Sequence, residues 1–184
     1  MDNSNAKILD AAGFAAEKHE GQFRKNAAGK KVPYIVHPLR VAASLARAGA
    51  HEDVIVAAIL HDTLEDTDTT RAELIDRFGR WVADTVLEVT DDKMLSKDEN
   101  RNRQVAKAPY MSDGAKLIKV ADKADNVMSI VESPPRWSDE KKLLYVESAT
   151  RVVIALGLGF EHAELVGRFW SAVSVTRASI AAAA

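Results

Sequence analysis

Val54-Ile55-Val56-Ala57-Ala58-Ile59-Leu60-His61-Asp62-Thr63-Leu64-Glu65-Asp66 decides how this chain is read. Its first seven residues are apolar, and a helix apolar nearly all round belongs in a core. The next six carry one imidazole and three carboxylates. Ending a buried helix this way is unfavourable twice over. Carboxylates lose their hydration, and negative charge opposes the macrodipole at a helix C-terminus. A bound divalent cation would reverse both penalties. Two more candidate ligands lie apart in the chain: His37, just before Pro38, and Asp122, within Lys119-Val120-Ala121-Asp122-Lys123.

Residues four apart share one face of a helix. Glu65 therefore stacks on His61 and Asp66 on Asp62, two adjacent rows at the helix end. His61 and Asp62 are about 100° apart around the axis, so both can reach one ion. Asp122 and Asn126 share a face of a second helix, with Ser129 three further on.

His37, His61, Asp62 and Asp122 offer two imidazoles and two carboxylates, which leave open positions on an octahedral ion. Mixed nitrogen and oxygen donors suit Mn²⁺ or Fe²⁺ better than Mg²⁺. The chain has no Cys, so disulfides and thiolate sites are excluded. A water on such an ion is acidified and can attack phosphorus. Glu65 and Asp66 then have no ligand duty and are placed for proton transfer. They also make the site acidic, so a polyanionic substrate needs cations nearby. Arg24 and Lys25 in the basic loop 21–33, and Lys93, Lys97 and Arg101 in the polar segment 91–110, are the candidates. Taken singly, each residue has a plainer reading. His37 could be a pre-proline turn residue, Asp122 half of an ion pair with Lys119 or Lys123, and the basic residues solvated loop charges. The metal reading rests on the set. His19, His51 and His162 lack a comparable acidic cluster and are read as structural. Trp81, Trp137 and Trp170 are read as core or groove residues.

The rest of the pattern is helical. Ser4 caps a first helix whose apolar face is Ile8, Leu9, Ala12, Ala15 and Ala16. Pro38 suits the first position of a second helix, through Val41, Leu45 and Ala48. Thr70-Arg71-Ala72-Glu73 matches a capping box, Phe78-Gly79 interrupts, and Trp81 to Val89 continues. Residues 91–110 are expected to be partly irregular with one short helix. Ser112 or Asp113 caps a helix from Ala115 to about Val131, ended by Ser133-Pro134-Pro135. Ser138 opens the next, and the last runs from about Phe160 to Ile180, with Ala181 to Ala184 frayed. No useful period-2 segment appears. The expectation is an all-α single domain over residues 1–184, long enough to bury a core. Net charge is −2, which argues against nucleic acid as a partner. Met1-Asp2-Asn3-Ser4 lacks the regions of a signal peptide, and no apolar run reaches a membrane span. Absence of Cys fits a reducing compartment. A soluble, cytoplasmic protein with no membrane partner is expected. The sequence carries no information on oligomeric state.

The His37, His61-Asp62 and Asp122 set resembles that of HD-domain metal-dependent phosphohydrolases. Five stretches resemble the hydrolase domain of the RelA/SpoT family: His19-Glu20-Gly21-Gln22-Phe23-Arg24-Lys25, Pro33-Tyr34-Ile35-Val36-His37-Pro38, Leu60 to Thr70, Glu88-Val89-Thr90-Asp91-Asp92-Lys93, and Ala115 to Lys123. The resemblance runs from about Ile8 to Val153 without a synthetase domain, and is greatest to the stand-alone small alarmone hydrolases of metazoan-homologue type. It implies an HD-domain helical bundle that hydrolyses guanosine 3′,5′-bis(diphosphate), ppGpp, to GDP and pyrophosphate with Mn²⁺. It also implies His37, His61, Asp62 and Asp122 as metal ligands and Glu65 and Asp66 as the catalytic acidic pair. Arg24 and Lys25 match the basic loop beside guanine and phosphates, and Asn126 a nucleoside contact. Ser129, Lys97 and Arg101 follow as further substrate contacts. The alternatives are a phosphohydrolase of another nucleotide, such as NADPH or a nucleoside monophosphate, and a nucleotide-binding regulator without turnover. After Asp122 the family commonly has a basic residue, Leu, then an aromatic or His before Asn. Here Ala124 and Asp125 depart from that pattern, and Asp125 is expected to add negative charge near the nucleoside.

Overall fold

A computed structural model describes residues 4–25 and 27–183. Helix α1 (Ser4–Lys18) leads into a short antiparallel hairpin, β1 (Phe23–Lys25) and β2 (Lys31–Pro33), with Arg24 opposite Val32. Three-residue strands are too short to display alternation, so the sequence reads as a loop here. Then come α2 (Val36–Arg47), α3 (Glu52–Leu60), the single turn α4 (Thr63–Asp66), α5 (Arg71–Phe78) and α6 (Arg80–Val89). They are followed by α7 (Lys97–Lys107), α8 (Asp113–Glu132), α9 (Asp139–Leu156) and α10 (Ala163–Ala183). The fold is an all-α helical bundle, the hairpin being its one small sheet among the described residues. No helix among them is long and apolar enough to cross a membrane.

Two inner helices organise the bundle. Helix α3 packs on α1, α2, α6 and α8, and α8 packs on α10, α2 and α9. Val56, Ile59 and Leu60 of α3 and Ile118 and Val120 of α8 are fully buried or nearly so. Each such side chain contributes about 1.5–3 kcal/mol by leaving water. The apolar run that ends at Leu60 therefore carries His61 into the centre of the molecule.

Caps follow the sequence closely. The side chains of Thr70, Ser112 and Ser138 accept from the backbone N–H of Glu73, Ala115 and Lys141, and Ser96 and Glu99 form a reciprocal box on α7. Gly79 joins α5 to α6 at φ 91°, a conformation that a Cβ disfavours.

Several expectations are corrected. The buried face of α1 is Ala11, Phe14 and Ala15, while Leu9 is 70% exposed and Ala16 is exposed. Phe14 stacks edge-on against Phe78, and this bulky pair sets the rotation of α1. Pro38 is the third residue of α2, where its missing N–H is still one that the helix leaves unpaired. Helix α3 stops at Leu60, and His61-Asp62 form the joint to α4. Helix α10 continues through Ala183 instead of fraying at Ala181. Ala184 and the side chain of Ser4 lie outside the described residues. Trp81 and Trp170 are both more than two-fifths exposed and so not core residues.

Candidate active site

Three elements converge on one buried spot. The first turn of α2 carries His37, the cap just past α3 is His61, and the middle of α8 carries Asp122. The His61 Nδ1–H donates to the Ala58 carbonyl at 2.8 Å, and the His37 Nδ1–H donates to Asp125 Oδ2 at 2.7 Å. A carbonyl and an ionised carboxylate can only accept, so in each neutral ring the lone pair is on Nε2. Both Nε2 atoms are buried without a hydrogen-bond partner. They face the same space. Asp122 Oδ1 is 3.2 Å from His37 Nε2 and 3.8 Å from His61 Nε2. Asp62 Oδ1 is 3.2 Å from His61 Nε2, and its Oδ2 is 3.6 Å from His37 Nε2. These approaches lack hydrogen-bond geometry although the charges are close. Ligand atoms of His37, His61 and Asp122 all lie within 4.8 Å of one another, and Asp62 stands at the rim.

Orphaned buried nitrogens are unfavourable. A divalent cation among two imidazole lone pairs and two carboxylates satisfies all of them, so the donor set fits such an ion. The electrostatics agree. Burial opposes charge on the His61 imidazole, yet Asp62 and Asp122 outweigh it and raise its pKa to about 9. The spot therefore favours positive charge: a proton on Nε2 when no ion is bound, which a cation would displace to reach the lone pair. Burial likewise opposes the Asp122 carboxylate, but Lys123, His37 and His61 hold it well below its ordinary range. The Tyr34 hydroxyl donates to Asp62 Oδ2 at 2.7 Å, and burial beside that carboxylate pushes the phenol up.

Glu65 and Asp66 sit on α4 beside this spot and differ in aim. Glu65 Oε2 accepts the Asp91 N–H at 3.0 Å and lines a cleft of about 330 Å³. Burial raises its pKa, and the charges of Asp91, Asp62 and Asp66 add to the rise. Asp66 is raised by burial and by Asp62.

Lys93, Lys97, Arg101 and Lys123 line the same cleft as Glu65, so the first three gather where the sequence asked for cations. Arg101 also pairs with Asp98 at 2.6 Å. Asn126 and Ser129 line a neighbouring cavity of about 220 Å³ with Arg24, Trp137 and Tyr145. Arg24 Nη2 donates to Asn126 Oδ1 at 2.7 Å, and the Asn126 amide donates in turn to Asp122 Oδ1. Ser129 Oγ donates to the Asn126 carbonyl. The Lys25 side chain lies outside the described residues.

Sequence reasoning missed Tyr34, Lys123 and Tyr145 as groups of this site, and left Trp137 undecided between core and groove. Trp137 and Tyr145 pack at 5.6 Å between ring centroids and give the cavity its aromatic wall. Tyr145 stands on α9 and Trp137 just before its cap Ser138, and no spacing along the chain reports how they pack near α8. Asp125 turns to His37, and its Oδ2 also lies 3.8 Å from Nη1 of Arg24, which lines the aromatic cavity.

The HD domain family matches residues 11–154. The human guanosine-3′,5′-bis(diphosphate) 3′-pyrophosphohydrolase MESH1 is 46% identical over 159 residues, covering 85% of this chain and 88% of that one. The Drosophila melanogaster MESH1 is 39% identical over 152 residues, covering 81% and 84%. The solved structure of a metazoan ortholog of SpoT that hydrolyses ppGpp superposes with a TM-score of 0.84 at 35% identity. It covers 92% of this chain and 95% of that one. Fold, buried donor set and relatives agree: the chain belongs to the HD domain family, in its MESH1 group of guanosine-3′,5′-bis(diphosphate) 3′-pyrophosphohydrolases.

Proposed function

We propose that this chain is a Mn²⁺-dependent ppGpp hydrolase that removes the 3′-diphosphate, giving GDP and pyrophosphate. The carrying observation is the pair of unpartnered Nε2 atoms facing Asp62 and Asp122, beside raised carboxylates and a cationic cleft. His37, His61, Asp62 and Asp122 hold the ion in this reading. Bound there, the ion supplies acidified water and polarises a phosphoryl oxygen. Lys93, Lys97, Arg101 and Lys123 bind phosphate oxygens and offset the acidity of the site. Trp137 and Tyr145 offer an aromatic wall to the base, with Arg24, Lys25, Asn126 and Ser129 beside the nucleoside.

Water attacks the phosphorus attached to O3′, and the O3′–P bond breaks. One proton leaves the water and one reaches the departing 3′-oxygen. Glu65 and Asp66 move these protons. Their pKa values are raised toward the working pH, where a carboxylate exchanges protons most effectively. Residues 1–184 act as one domain, in the cytoplasm, on a free nucleotide and not on nucleic acid or membrane.

The test is pyrophosphate release from ppGpp by metal-stripped protein, with Mn²⁺, Mg²⁺ or no metal restored. Release with Mn²⁺ is expected. Release from NADPH or a nucleoside monophosphate but not from ppGpp would move the substrate assignment. Tight ppGpp binding without turnover in Mn²⁺ would replace the enzyme by a nucleotide-binding regulator.

A further inference from the structure

We infer that Asp125 is a positioning residue for the metal centre, aiming His37 and strengthening it as a ligand. The inference rests on the metal reading above and deepens it. His37 is 2% exposed and His61 5%, so both rings need a partner on Nδ1. The two partners differ. His61 donates to a neutral backbone carbonyl, fixed by the helix that carries it. His37 donates to a carboxylate at 2.7 Å, three residues beyond Asp122 on α8. One helix thus supplies a ligand to the ion and an orienting group to a ligand on another helix. A carboxylate behind an imidazole fixes the ring, leaves the lone pair on the opposite nitrogen and increases its basicity.

The surroundings hold Asp125 in this role. Its side chain is only 14% exposed. Arg24 Nη1 lies 3.8 Å from Oδ2, and Arg40 Nη1 lies 3.9 Å from Oδ1. Arg40 is itself anchored to Glu132 at 2.6 Å. The two guanidiniums balance a carboxylate that would otherwise add to the charge of Asp62 and Asp122. This is also the position where the chain departs from the aromatic or His common in its family. The departure places a hydrogen-bond acceptor against the ligand.

The experiment is calorimetric Mn²⁺ titration of the metal-stripped full chain, as wild type, Asp125→Ala and Asp125→Asn. Asp125→Ala is expected to weaken Mn²⁺ by about 10–100-fold, the range for such orienting partners. Asp125→Asn keeps an acceptor for the His37 Nδ1–H and should recover most of that loss. Circular dichroism checks that both variants stay folded. As a readout that needs no metal, the wild type should show a slowly exchanging, downfield His37 Nδ1 proton that Asp125→Ala lacks. Should Asp125→Ala bind Mn²⁺ as the wild type does, or Asp125→Asn bind no better than Asp125→Ala, the inference is overturned. If a variant fails to fold, the proton in the wild type decides: a fast-exchanging His37 Nδ1 proton contradicts the contact. A wild type that binds no Mn²⁺ would instead sink the metal reading itself.

Discussion

The buried imidazole–carboxylate centre and the charged cleft beside it meet at the ion pair of Asp122 with Lys123, 3.6 Å long, and are built on opposite principles. In the centre, His37, His61 and Asp122 are all under 8% exposed, and each is carried by, or directly follows, a helix with a buried apolar face. In the cleft, Lys97 and Arg101 stand on α7, a helix with only Asn100 and Gln104 buried. Polar groups in the first region are expensive without a ligand, and charges in the second are stable in water whether or not anything binds. The centre is therefore expected to be rigid and intolerant of substitution, and the cleft graded and tolerant.

The sharpest way to break this contrast is Asp62→Ala against Glu65→Ala. Asp62→Ala should lose Mn²⁺ and activity together. Glu65→Ala should keep Mn²⁺ and lose turnover by roughly 10²–10⁴-fold, the usual weight of a positioned acid or base. Equal metal loss in both, measured by titration, would erase the division between ligands and proton-transfer groups. Next in size, Lys97→Ala with Arg101→Ala should raise KM for ppGpp by about ten-fold or more with kcat little changed, since charged contacts to phosphate act in binding. A fall in kcat at constant KM would place these cations in the chemistry instead.

The pH profile separates the regions again. Glu65 must be ionised to accept a proton, and burial first, then its acidic neighbours, raise its pKa. Activity should therefore fall as pH drops through that raised pKa, with the acid limb higher than that of a solvent-exposed glutamate. The Lys97 variant should leave the limb in place. A smaller effect is expected of Tyr34→Phe, which removes the hydroxyl that orients Asp62. It should weaken Mn²⁺ by a few-fold to about ten-fold. The smallest is structural: Gly79→Ala should cost on the order of 1 kcal/mol of stability at φ 91°, read by denaturant unfolding, with activity per folded molecule unchanged.

The same contrast explains what the sequence made legible. The run from Val54 to Asp66 announced both the core helix and the centre, because acid and imidazole after seven apolar residues demand a reason. Helix caps at Thr70, Ser96, Ser112 and Ser138 are local hydrogen bonds, and three of them were readable as spacings. Leu9 was misplaced because the rotation of α1 is set by Phe14 against Phe78, a contact between distant residues. Trp137 and Tyr145 reach the cavity only through the packing of the chain's second half against α8, and Asp125 reaches His37 across 88 positions of sequence. Such partners leave no periodic trace.

The most direct test of the central claim is anomalous scattering from a crystal of the protein grown with Mn²⁺. The account predicts one strong peak bounded by His37 Nε2, His61 Nε2 and Asp122 Oδ1, with Asp62 closing the set and Glu65 and Asp66 off the ion. A folded protein with no peak there, or with the ion held by Glu65 and Asp91 in the cleft, would contradict it.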